Sequence, residues 1–307
     1  MKIVILSGGV GGARFVRGVA EVVEPADVTV IGNVGDDVEV LGMHVSPDLD
    51  SILYALAGLN DEARGWGRSG ETWQTLETVA ALGGEAWFSL GDRDLGLHLV
   101  RTQALHAGQP LSAVTARIAT ALGVQTRLLP ATDDRLRTWI DTAAGEFPFQ
   151  EWFVGRGHRD EAEGVRFEGA ESAQPAPGVL EAIDAANLLL IAPSNPYVSV
   201  EPILAVTAIR EALAQRRVPC VAISPLIGGR AVKGPADRML ARIAGGTSPR
   251  HVAGCYAGLI DSLVLDEADA DDLDGLGEVR PIVAHTLMSD AGARRRLAET
   301  ALGVVRA

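Results

Sequence analysis

The chain has 307 residues, 47% of them hydrophobic, and a formal net charge of −13. That is enough for one large buried core, as a single domain or a domain carrying an inserted lobe. The acidic balance, without any Lys/Arg cluster, excludes a nucleic-acid groove, so an anionic ligand must be met locally by loop amides, by arginines such as Arg14 and Arg93, or by a carboxylate-held metal.

Ile3-Val4-Ile5-Leu6 reads as a buried strand and runs into Ser7-Gly8-Gly9-Val10-Gly11-Gly12-Ala13-Arg14, with a helical pattern over Ala13–Val23. A strand turning into a helix leaves unpaired N–H groups at the helix start, and glycines let a phosphate approach them closely. Ser7, Gly8, Gly9, Gly11, Gly12 and Arg14 are therefore candidate nucleotide-binding residues, against the competing reading of a tight turn without ligand. Neither familiar template fits: Arg14 stands where a dinucleotide fold wants its third glycine, and no Lys-Ser/Thr pair follows. The second strand, Val28–Ile31, meets Gly32-Asn33 instead of an acid placed for a ribose hydroxyl, which disfavours nicotinamide chemistry.

Next come Gly35-Asp36-Asp37 and Ser46-Pro47-Asp48-Leu49-Asp50, four acids expected on loops. Asp36, Asp37 and Asp48 are candidate ligands for Mg²⁺, which commonly joins one or two carboxylates to substrate phosphates; the alternative is Asp as turn and cap residues. Helical patterns over Glu71–Leu82 and Leu95–Leu122, with no strong strand between them, suggest a helical lobe over residues 61–134 inserted into a core of residues 1–60 and 135–307. Arg93 lies between Asp92 and Asp94 at a helix start, where the dipole disfavours a cation, so it reads as kept for an anion or a flat polar ring, with Asp92 capping that helix. His98, on a Leu-rich helix, reads as a core residue.

A hairpin is expected over Thr138–Phe149. Further strands at Leu188–Ile191, Val221–Ile223, Leu263–Leu265 and Ile282–Ala284 alternate with helical patterns over Val179–Ala186, Ile203–Ala214 and Ala236–Ile243. The fold class is thus α/β, a doubly wound, mostly parallel Rossmann-like sheet with an inserted helical lobe. Ligands of such sheets bind beyond the carboxyl ends of the strands, which adds Ser194 and Asn195 in Pro193–Pro196, and Ser224, Gly228 and Gly229 in the following strand-end loop, as candidates for the rest of a nucleotide site. The acidic stretch from Asp266 to Asp274 lacks the calcium-loop spacing and reads as solvated surface. Cys220 and Cys255, without CxxC spacing, read as buried reduced thiols. No leader or membrane-length apolar run is recognisable, so a cytoplasmic protein without membrane partners is expected.

Taken in order, the glycine run, Gly35-Asp36-Asp37, Ser46–Asp50, Gly91-Asp92-Arg93-Asp94-Leu95, Phe149–Val154, Pro193–Pro196 and Ser224-Pro225 resemble the 2-phospho-L-lactate transferase family of coenzyme F-420 biosynthesis over nearly the whole chain. Val10, Gly65-Trp66-Gly67 and Glu71-Thr72-Trp73 are more similar to its actinobacterial phosphoenolpyruvate branch. The resemblance implies magnesium-dependent transfer of a phosphoenolpyruvyl or 2-phospho-L-lactyl group from a guanosine diphosphate conjugate to the deazaflavin Fo, releasing GMP. It implies deazaflavin contacts at Asp50 and Arg93, with Asp50, Arg93 and Asp48 as catalytic candidates. Alternatives are a non-catalytic nucleotide- or nucleotide-sugar-binding regulator of the same core fold and an atypical dinucleotide oxidoreductase. A homodimer is the expected assembly, since apolar helices offer surface for one.

Overall fold

The structure is a computed structural model that describes residues 1–304. Seven short strands form its central sheet: β1 (Ile3–Ser7), β2 (Val28–Gly32), β3 (Arg127–Pro130), β4 (Leu188–Ile191), β5 (Cys220–Ile223), β6 (Ser262–Asp266) and β7 (Arg280–Ala284). Their order is β7-β6-β5-β4-β1-β2-β3, and every pairing is parallel. Strands such as Leu188-Leu189-Leu190-Ile191 are apolar at every position because both faces are covered by helices. The order reverses between β1 and β4, the switch point where a doubly wound sheet opens a crevice. Register brings Ser7 beside Gly32 and Leu6 beside Ile191, so the loops after β1, β2 and β4 emerge side by side.

Six of the seven strands are those expected from apolar runs. The seventh, β3, lies inside the span expected to be a helical lobe, and that boundary is corrected: Arg127-Leu128-Leu129-Pro130 pairs with β2 as the sheet edge. The long pattern Leu95–Leu122 is two helices, α4 (Asp92–His106) and α5 (Leu111–Ala121), broken at Gly108 with φ +79° and Pro110. Leu111, Val114 and Ile118 of α5 belong to the main core, so α5 covers the sheet. What stands off the sheet is smaller: a hairpin, Val38–Val40 with Met43–Val45, turns at Leu41 and Gly42, both at positive φ, and packs Val40, Met43 and Val45 against Leu90 and Leu95. The expected hairpin near Thr138 gains a third strand, Gly164–Glu168, and encloses its own cluster of Ile140, Phe149 and Trp152.

Helix α1 (Gly9–Ala20) follows β1 directly and packs on α2 (Pro47–Ala57). Asp48 and Asp50 were expected on a loop; they occupy the first turn of α2, which Pro47 opens and Gly58 closes at φ +67°. Cys220 is buried and Cys255 half-buried, both as free thiols. Among the described residues no helix is long and apolar enough to cross a membrane.

Candidate active site

Helix α1 starts in the crevice beside β1 with no side-chain cap and no acid in its first turn. Its amides and dipole therefore offer a positive end to an anion. Gly9 takes φ +67° there. The glycines around it serve the protein's own packing. A Cβ on Gly8 would stand 2.5 Å from Asp48 Oδ2, one on Gly11 2.9 Å from the Pro193 carbonyl, and one on Gly12 2.5 Å from Ser7 Oγ and 2.6 Å from Ser194 Oγ. Ser194 Oγ donates to the Gly8 carbonyl at 2.7 Å and accepts from its N–H at 3.3 Å, clamping β4's loop to the glycine turn. Ser7 Oγ is buried without a partner. Ser7, Gly8, Gly9, Gly11, Gly12, Ser194 and Asp48 are thus brought together.

Asn33, not singled out from sequence as a site residue, ties them to β2. Its Nδ2 donates to Asp48 Oδ2 at 2.9 Å and to the Val198 carbonyl at 3.1 Å, while its Oδ1 accepts from Gly35 N at 2.7 Å. Burial raises Asp48 to about 6, against hydrogen bonds from Asn33 and the Gly9 amide. Burial likewise lifts Asp36 well above the carboxylate range, with the Asp48 charge adding to it. Asp37 Oδ2 accepts from Ser46 Oγ at 2.9 Å and lies 2.8 Å from His44 Nε2. The Oδ1 atoms of Asp36 and Asp37 are buried without partners. Crowded, unpartnered carboxylate oxygens suit a hard divalent cation. Among the described residues, though, no three His, Cys, Asp or Glu side chains converge as a metal cage, so at most two of Asp36, Asp37 and Asp48 can share an ion, completed by phosphate and water.

Asp50 points elsewhere, into a buried seam between α2 and α4. Both its oxygens are bound by Arg101, with Nη1 at 3.0 Å from Oδ2. Nearby Tyr54 OH donates to Asp94, whose carboxyl burial pushes up to about 6. Arg93 is exposed, and among the described residues its guanidinium makes no ion pair. The cap reading of Asp92 is corrected: Asp92 accepts from Thr72 Oγ1, Gln74 N and Thr75 N, capping the preceding helix α3 (Gln74–Ala81). Glu71 in return accepts from the first amides of α4, at Arg93 and Asp94.

Four nucleotide candidates are otherwise occupied. Gly228 and Gly229 donate their amides to Asp269 at 3.0 and 2.9 Å, so this strand end is already closed by a carboxylate. Asp269 belongs to the stretch read as solvated surface, and its neighbour Asp266 accepts from Thr286 and Ala268; both acids are buried. Ser224 Oγ is engaged locally with Leu226, and Asn195 caps the turn Pro196–Val200 by accepting from Tyr197 N. Arg14 is half-buried and lines a narrow cleft with Val10, Ser51 and Trp66. A cavity of about 600 Å³ opens beside the Pro196–Val200 turn, lined by Tyr197, Glu201, Arg250 and His251, while Ser199 of that turn packs on Gly8.

Fold and site define a Rossmann-like α/β protein whose switch-point crevice sets uncapped helix amides beside carboxylates. The chain belongs to the family described as 2-phospho-L-lactate transferase CofD, which matches residues 3–294. It is 45% identical to a phosphoenolpyruvate transferase of Streptomyces griseus, covering 98% of each chain. It is also 45% identical to one of Thermobifida fusca, covering 94% of this chain and 93% of that one, and 39% identical to one of Mycolicibacterium smegmatis over 98% of each. A crystal structure of a UPF0052-family protein from Bacillus halodurans superposes with a TM-score of 0.66 over 98% of each chain at 20% identity, a likeness of fold. By family the chain is a transferase enzyme, the class implied by the sequence resemblance.

Proposed function

We propose that this transferase moves a phosphoenolpyruvyl group from a guanosine diphosphate conjugate to the terminal ribityl hydroxyl of the deazaflavin Fo, in coenzyme F-420 biosynthesis. The names of the Streptomyces, Thermobifida and Mycolicibacterium relatives favour phosphoenolpyruvyl over 2-phospho-L-lactyl as the group carried. The observation that carries the reading is Asp48, held by Asn33 and the Gly9 amide beside the open N-terminus of α1.

The α1 amides would receive the donor diphosphate, and the free guanidinium of Arg93 would meet the deazaflavin or the charge of the transferred group. The ribityl oxygen attacks the distal phosphorus, a P–O bond forms as the bond to GMP breaks, and the hydroxyl proton passes to Asp48. A carboxylate lifted to about 6 is a better proton acceptor than an ordinary one, although a loose phosphoryl transition state demands little of a base. Mg²⁺ held by Asp36 and Asp37 together with phosphate and water would supply charge neutralisation on the phosphates.

Incubating the protein with Fo, Mg²⁺ and the guanosine donor should yield a deazaflavin heavier by the phosphoenolpyruvyl group, read by mass spectrometry. Asp48→Asn should lower kcat by about 100-fold or more while guanosine diphosphate still binds. No charged deazaflavin from the wild type would sink the reading.

A further inference from the structure

Lys233 has no place in the chemistry above. Its loop, which follows β5, is fixed at both ends. Leu226–Ile227 pairs antiparallel with Arg230–Ala231, and Asp269 holds both amides of the Gly228-Gly229 tip between them. Further on, Met239 is buried in one cluster with Val198 and meets Asn195 Nδ2 at 3.4 Å. Between these anchors Val232, Lys233 and Gly234 are exposed. Lys233 does not trail into solvent: its ammonium lies over the bare backbone of Gly65, at φ +80°, where a Cβ would collide with it.

Gly65 is a wall of the narrow cleft that Val10 and Arg14 of α1 also line. A side chain rooted beyond β5 thus reaches the segment that follows α2, and its charge stands on the side of the crevice where α1 begins. The acid that lines this cleft, Asp61, is already engaged: Oδ1 accepts from Arg64 N at 2.8 Å and Oδ2 pairs with Arg64 Nη2 at 3.1 Å. Among the described residues neither Lys233 nor Arg14 makes an ion pair. Two unmatched cations, in a chain of net charge −13, therefore meet beside an uncapped helix start, the polarity an anion requires. A separate observation points the same way. Ser7 Oγ, at the entry to that helix, is buried and unpartnered beside Gly12, where a Cβ would stand 2.5 Å from it. A lysine is a point charge with three rotatable donors on a flexible stem, which suits a phosphate whose charge changes during transfer.

We propose that Lys233 is a donor-binding residue: its ammonium bonds the diphosphate of the donor from the β5 side of the crevice, so that the diphosphate is held between Lys233 and the α1 amides. The inference rests on the transferase reading above.

Binding of guanosine diphosphate and of uncharged guanosine to the wild type, Lys233→Met and Lys233→Arg is compared by calorimetry. Lys233→Met should weaken guanosine diphosphate by about 10- to 100-fold, the scale of one charge-assisted hydrogen bond, and leave guanosine affinity at the wild-type value. Lys233→Arg, which keeps the charge, should restore most of the loss. Undiminished guanosine diphosphate affinity in Lys233→Met overturns the inference alone. Equal weakening of both ligands, or no recovery in Lys233→Arg, overturns it too, since either is the mark of a loop displaced instead of a charge removed. A wild type that binds neither ligand overturns the functional reading and the inference with it.

Discussion

Asp94 and His98 border the same seam and carry opposite pH signatures. Burial sets Asp94 at about 6 against an ordinary 3.8, so between those pH values the folded chain keeps a proton that the unfolded chain has released; this contribution to stability falls as pH rises. Burial sets His98 at about 4 against an ordinary 6.5, so there the folded chain has released a proton that the unfolded chain keeps, and stability rises with pH. Relative to wild type, Asp94→Asn should gain stability as pH goes from 4 to 7 and His98→Asn should lose it, each on the order of 2 kcal/mol by urea titration. Slopes of the same sign would refute this. His98 was legible as a core residue from its Leu-rich surroundings. Arg101 was not, because an arginine on a helix reads as solvent-facing until a carboxylate on another helix is found opposite it.

At the scale of elements, local pattern located β1 and α1 but not the packing that also requires the glycines. Open turns and crowded ones use the same residue, and only the positions of Asp48, Pro193 and Ser194, brought in from other elements, reveal the crowding at Gly8, Gly11 and Gly12. In Ser46–Asp50, Ser-Pro and Asp are turn residues that also open helices, and the burial of Leu49, Ile52 and Leu53 decides for α2. The exchanged caps of α3 and α4 also need both helices in place. Helix α3 buries no residue, so its order depends on its cap. Asp92→Ala should raise hydrogen exchange severalfold across residues 74–81 while leaving the thermal midpoint near wild type; unchanged protection there would show the cap to be idle.

Across the whole molecule, seven parallel strands make a preformed crevice, while the carboxylates within it lack a metal cage of their own. Chelation by EDTA alone should therefore leave the thermal midpoint unchanged. Guanosine diphosphate with Mg²⁺ should raise it, by about 2.7 kcal/mol of added stability at a ligand concentration 100 times Kd. A midpoint lowered by EDTA alone would point to a resident structural metal. The amino-acid sequence by itself determined six central strands, their alternation with helices and the strand ends that would carry function, because apolar runs and glycine turns are local signals of burial and chain reversal. Only the tertiary structure decided that β3 joins the sheet, that Asp269 closes the Gly228–Gly229 turn and that Arg101 takes Asp50. Each of these joins residues far apart in the chain, and neither partner carries a local mark of the other.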